Sequence, residues 1–238
     1  MGPGNPSLVT RNPISIAQVA TPALEPARER VAQAARRLAA AGLVVGTAGN
    51  VSERTGESVA VTPTGAELRT LTAAQVVVVD RDGEPVAGEL VPTSELGLHL
   101  DVYRRYGAGA VVHTHAPFAT ALACVIDELP VIHYQLLALG GSVRVAPYAT
   151  FGTPRLSELT LEALEGRSAA LMANHGAIAH GPDLATALQR SELLEWSCAL
   201  YWRAAALGTP RTLDGIQQTA HLEALSTRGY GTIQSRGR

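Results

Sequence analysis

Apolar positions along this chain recur with two periods, one helical and one of strand type. Over 26–41 the apolar residues Val31, Ala34, Ala35 and Leu38 share one face of a helix, and Gly42 suits its C-terminal cap. Short strands are expected at 50–53 and 58–62, joined by a turn at Thr55-Gly56. Thr62-Pro63-Thr64-Gly65 closes the second strand, and a short helix through Leu68, Leu71 and Ala74 follows. The segment 76–80 reads as a buried strand, and Asp82-Gly83 turns it into a partner at 84–87. Pro92-Thr93-Ser94-Glu95 opens a helix carrying Leu96, Leu98, His99, Leu100, Val102 and Tyr103. Strands at 110–113, 143–145 and 169–173 alternate with helices at 117–124 and 154–164. Asp183 caps a long helix reaching about residue 207, and a last helix is expected over 213–225.

Residues 1–24 are rich in Gly, Pro, Ser, Thr and Asn and read as a flexible tail. The remainder, 25–238, reads as one α/β domain with a mobile, polar C-terminal end. Because hairpin signals come early and helices intervene later, the expectation is a single three-layer α/β/α domain. Its central sheet is mixed and largely antiparallel.

Composition narrows the function classes. Hydrophobic residues make up 46% of the 238 residues and charged residues 17%, enough for a sizeable core. A net charge of −2 gives no electrostatic case for nucleic acid or an anionic membrane as partner. No apolar run approaches the ~20 residues of a spanning helix, and no secretory signal is expected. Cys124 and Cys198 read as reduced core thiols, which fits a cytoplasmic protein.

The chemistry gathers at strand ends. His113 and His115 end an apolar strand, and residues i and i+2 of an extended segment point to one side, so the two imidazoles can share a metal ion. His175 also follows an apolar strand and precedes Gly176. Three neutral imidazoles with an open fourth position suit a catalytic Zn²⁺, and imidazole also suits Fe, Ni and Co. Glu95 has two readings: an ordinary acid stabilised at a helix N-terminus, or a carboxylate that binds the metal and leaves it to shuttle a proton. Gly49-Asn50, Thr64-Gly65 and Thr93-Ser94 occupy turns or helix starts, where N–H groups and hydroxyls bind phosphate without Lys or Arg. His99, His133, His180 and His221 read as structural or surface residues, although His99 lies at i+4 from Glu95 and can support the site. Gly107-Ala108-Gly109 lacks the third glycine of a dinucleotide fingerprint, and a strand follows where a helix should.

Several stretches carry a resemblance: GTAGNVS at 46–52, TPTG at 62–65, TSE at 93–95, VVHTHA at 111–116, IHY at 132–134, APYATFGT at 146–153 and NHG at 174–176. With these, the chain resembles the class II aldolase/adducin family from about residue 26 to 231, in the manner of members that cleave L-fuculose 1-phosphate. The resemblance implies the class II aldolase fold and one Zn²⁺ per chain bound by His113, His115 and His175. It makes Glu95 the acid/base and the fourth ligand of the resting metal. It assigns the substrate phosphate to Gly49, Asn50, Thr64, Gly65, Thr93 and Ser94. Tyr134 matches a tyrosine near the reacting carbons, Phe151 a substrate-positioning phenylalanine, and Tyr230 a mobile C-terminal tyrosine that reaches the active site. The implied assembly is a C4 homotetramer with its sites at subunit interfaces.

The implied activity is reversible cleavage of a ketose 1-phosphate, L-fuculose 1-phosphate or a 5-deoxypentulose 1-phosphate, to dihydroxyacetone phosphate and a small aldehyde. The family's sugar-phosphate 4-epimerases tend to carry Asp where Glu95 stands. A methylthioribulose-1-phosphate-type dehydratase shares both the metal set and the Glu. An adducin-like interaction module is a further alternative, which has no need of an intact metal site. Thr93 stands where close relatives often have Ser, and the polar segment after Tyr230 is longer than theirs.

Overall fold

The structure, a computed structural model, describes the backbone over residues 16–228 and side chains over 24–227. The strands are β1 (Asn50–Thr55), β2 (Ser58–Val61), β3 (Val77–Asp80), β4 (Pro85–Ala87), β5 (Ala110–Thr114), β6 (Glu128–Leu129), β7 (Val143–Ala146), β8 (Ala169–Met172) and β9 (Gly176–Gly181). The helices are α1 (Ile16–Ala40), α2 (Leu96–Tyr106), α3 (Pro117–Ala123), α4 (Pro154–Leu164), α5 (Leu184–Leu207) and α6 (Gly215–Arg228). The strands form one nine-stranded sheet in the order β4-β3-β2-β1-β5-β9-β8-β7-β6. Each neighbouring pair is antiparallel except β7 and β8, which run parallel.

The strand period of two sorts the core onto both faces. Val51, Val78, Ala110, Val112, Leu171 and Ala179 join α1, α3 and α5 in one apolar cluster. Val77, Val79, Val111, Met172 and Ile178 join α2 and α4 in the other. The result is the expected three-layer α/β/α arrangement on a mixed, largely antiparallel sheet. His113 follows Val112, so it shares the face of Val111 and points toward α2.

Some boundaries differ from the pattern. Helix α1 starts at Ile16 rather than Pro26, so part of the expected tail is helical; an isolated proline costs one intrahelical hydrogen bond yet keeps a helical φ. Residues 1–15 and the expected mobile end beyond residue 228 lie outside the described residues. The expected helix through Leu68 and Ala74 is two 3₁₀ turns, Leu68–Thr70 and Ala73–Gln75. Strand β9 carries Gly176, Ala177, Ala179 and Gly181, which give no strand signal of their own. Cys198 is buried, whereas Cys124 is exposed at the end of α3 rather than in the core.

Candidate active site

Strand β5 lies between β1 and β9, with His113 opposite Asn50 on one side and Ile178 on the other. This central position buries His113 completely. His115 follows two residues on, where β5 has ended, and Pro117 starts α3 at once. His175 sits in the turn between β8 and β9, after Asn174, the one non-glycine residue with positive φ among the described residues. Asn tolerates the left-handed region that this turn needs. Gly176 has no room for a side chain: a Cβ there would overlap the Thr114 carbonyl and lie 3.3 Å from the rings of both His113 and His115.

The three imidazoles converge, with ring centroids 4.8 to 5.0 Å apart. One ligand atom from each lies within 4.8 Å of the others. His113 donates Nδ1–H to the Ala177 carbonyl at 2.9 Å, which leaves Nε2 with its lone pair turned inward. That Nε2 stands 3.0 Å from His115 Nε2 and 3.2 Å from Glu95 Oε2. Burial pushes His115 down to about 4 and also lowers His175, so both are neutral near pH 7.

Glu95 is the N-cap residue of α2, but its side chain makes no capping hydrogen bond. It turns into the site instead and is 6% exposed. Oε2 accepts from Asn50 Nδ2 at 2.9 Å, and Oε1 lies 3.4 Å from His175 Nε2. Burial works against the Glu95 carboxylate, yet His113, the Asn50 hydrogen bond and His175 outweigh it and hold the carboxyl below its ordinary range. Buried Oε1 has no hydrogen-bond partner. An unsatisfied carboxylate oxygen beside converging imidazole lone pairs fits a bound divalent cation.

A cleft of about 270 Å³ opens beside this cluster, with Glu95, His115 and His175 in its wall. The same cleft is lined by Gly49, Asn50, Thr64, Gly65, Thr93 and Ser94. Two of those turns are zipped together, Thr64 N–H donating to Val91 at 2.9 Å and Thr93 N–H to Thr62 at 3.1 Å. Gly49 has φ +88°, and a Cβ there would crowd the His113 carbonyl at 3.0 Å. Ser94 lies just ahead of the N-terminus of α2, an end that favours an anion electrostatically.

Phe151 lines the cleft and is 64% exposed. Tyr134 is not among the residues lining it; its ring packs at a tilt against those of His133 and His221, with centroids 4.3 Å and 4.5 Å away. Tyr230 lies outside the described residues. The cleft also recruits Thr47, Tyr148 and Asn174, which reasoning from residue types missed. A usable signal existed in Gly152 (φ +72°): it lets the 147–153 loop pack on the Ser94 carbonyl, which a Cβ would approach to 2.9 Å.

A family model described as Class II Aldolase and Adducin N-terminal domain matches residues 29–202. The chain belongs to the class II aldolase family. A 5-methylthioribulose-1-phosphate/5-deoxyribulose-1-phosphate aldolase of Rhodospirillum rubrum is 40% identical over 204 residues, 85% of this chain and 92% of that protein. A 5-deoxy-D-ribulose 1-phosphate aldolase of Bacillus thuringiensis is 37% identical over 213 residues, 87% of this chain and 98% of that protein. The L-fuculose phosphate aldolase of Escherichia coli K12 is 40% identical over 191 residues, 79% of this chain and 88% of that protein. Among solved structures, an L-fuculose 1-phosphate aldolase superposes with a TM-score of 0.81 at 33% identity, covering 84% of this chain and 96% of that one. No helix among the described residues is long and apolar enough to cross a membrane.

Proposed function

We propose that this chain is a zinc-dependent aldolase that reversibly cleaves a ketose 1-phosphate to dihydroxyacetone phosphate and a small aldehyde. The observation that carries the reading is the cleft itself. One wall holds His115, His175 and a buried, half-satisfied carboxylate, with the buried His113 converging on them at 3.0 Å from His115, and the other holds turn residues suited to a phosphate. The chain contains no lysine, so no Schiff base is available as electron sink. A bound Zn²⁺ on His113, His115 and His175 supplies Lewis-acid stabilisation of the charge that develops as C3–C4 breaks.

The chain's own residues do the rest. Thr64, Gly65, Thr93 and Ser94, with Gly49 and Asn50, hold the phosphate and thereby orient C3 toward Glu95. Glu95, ionised in the free site, takes up the proton released from the C4 hydroxyl and, after the aldehyde leaves, delivers it to C3; in the synthetic direction it removes one. Tyr134 of a neighbouring subunit, or Tyr230, handles the proton on the C4 oxygen. Tyr148 and Phe151 offer an apolar wall where a methyl-ended aldehyde fits. In this reading the chain assembles as a homotetramer with each site at a subunit interface.

The deciding experiment incubates the metal-loaded protein with L-fuculose 1-phosphate and with 5-deoxyribulose 1-phosphate, and detects dihydroxyacetone phosphate by a coupled assay. Release from either supports the reading. No release from both overturns it and points to the epimerase, dehydratase or interaction-module alternatives. For the metal, His113→Ala is expected to bring zinc well below one per chain by elemental analysis, and an unchanged content refutes the ligand assignment.

A further inference from the structure

Glu95, His99 and Tyr103 stand four residues apart along and just before α2, and Asn50 and Ser52 two apart along β1. Four helical steps rise ~6 Å and two strand steps ~6.6 Å, so the two rows interleave at nearly one spacing. They make a single hydrogen-bonded file. Tyr103 OH meets Ser52 Oγ at 2.6 Å, Ser52 Oγ meets His99 Nδ1 at 2.6 Å, and His99 Nε2 meets Asn50 Oδ1 at 2.5 Å. Asn50 Nδ2 then donates to Glu95 Oε2 at 2.9 Å. All five residues are buried, and His99 and Ser52 are completely so.

The direction of every bond follows from the last one. An ionised carboxylate only accepts, so the Asn50 NH₂ faces Glu95 and its carbonyl faces His99. That carbonyl needs a donor, so His99 carries its proton on Nε2. Nδ1 therefore accepts from the Ser52 hydroxyl, and Ser52 accepts from Tyr103 OH. Burial supports the neutral ring, pushing His99 down to about 3. With the opposite Asn50 flip, two acceptor oxygens would face each other in a buried site.

We propose that His99 is a positioning residue. Its Nε2–H locks the Asn50 amide, which ties down Oε2 of Glu95 and leaves Oε1 as the oxygen that exchanges protons with substrate. The proposal rests on the aldolase reading with Glu95 as acid/base. It accounts for a completely buried histidine that belongs neither to the metal cluster nor to the cleft lining.

The test compares His99→Leu with His99→Gln, whose amide can still donate to Asn50 Oδ1. His99→Leu is expected to lower kcat on the cleaved ketose 1-phosphate about 10–100-fold, with KM and bound metal per chain near parental. His99→Gln is expected to recover most of that loss. A parental kcat in His99→Leu, equal losses in both variants, or a loss of metal that accounts for the lost turnover overturns the proposal. Nitrogen-15 NMR of the metal-loaded parental protein gives a second readout that needs no variant to fold. A neutral Nε2–H tautomer of His99 is expected, and an Nδ1–H tautomer or a charged ring refutes it. A parental chain without aldolase turnover refutes the functional reading alone, and the NMR result still decides the direction of the file.

Discussion

Gly176 shows how tightly the site is specified at the level of one residue. A Cβ there would overlap the Thr114 carbonyl and press on the rings of His113 and His115, each 3.3 Å away. Gly176→Ala is therefore expected to cost about 1–3 kcal/mol by overpacking and to displace the histidines. Chemical denaturation and zinc content measure the two effects, and a variant with parental stability and metal content contradicts the contact. His99 makes a separate forecast about pH. Its ordinary value is 6.5, and burial lowers it to about 3 in the folded chain. The unfolded chain thus takes up a proton near 6.5 that the folded chain refuses until far lower pH. This contribution to stability is complete above pH 6.5 and is lost as pH falls toward 3. His115, lowered to about 4, acts in the same direction. Denaturant midpoints of the metal-free protein are expected to fall steadily from about pH 7 to about pH 5, with up to ~1.4 kcal/mol per pH unit from His99. A flat profile refutes the neutral buried ring.

At the scale of elements, the chain after the metal ligands is pinned by a contact far away in sequence. Helix α3 begins directly after His115, and its N-cap residue, Ala116, has no side-chain acceptor. Glu195 of α5 fills that place, accepting from Phe118 N–H at 3.0 Å and Ala119 N–H at 2.8 Å. Glu195→Ala is expected to destabilise the fold by about 1–2 kcal/mol and Glu195→Gln by less, as read from denaturant midpoints. Equal stability of Glu195→Ala and the parent would show that α3 needs no such cap. This cap also marks where sequence reading stopped. Local signals were legible: the unbroken valine run for β3, and Asp183 before α5, whose side chain accepts the Thr186 N–H in the helix's first turn. His113, His115, His175 and Glu95 were legible because ligand chemistry restricts residue type. The Glu195 cap, strand β9 and the file from Tyr103 to Glu95 were not. Each depends on pairing between distant segments, and β9 replaces strand formers with the small residues that a crowded central position demands.

For the whole molecule, Tyr134 bears on whether the proposed tetramer shares its sites between subunits. It begins the turn Tyr134–Leu139, beyond edge strand β6, and does not line the cleft of its own chain. Tyr148 and Phe151 are each 64% exposed at the cleft and form an apolar rim. In the proposed tetramer, Glu95 of one subunit works with Tyr134 of the next across a head-to-tail interface, so loss of either residue is repaired by a suitable neighbour. Glu95→Gln chains and Tyr134→Phe chains are each expected to lose turnover about 10²–10⁴-fold while remaining folded. Mixed one to one under conditions that exchange subunits, about a quarter of the interfaces pair an intact Glu95 with an intact Tyr134. Activity in the mixture is then expected to rise to about a quarter of parental, far above either variant alone. A site completed within one chain predicts no recovery, because every chain in the mixture carries one defect. Recovery that appears only after subunit exchange distinguishes the shared site from simple contamination by parental protein.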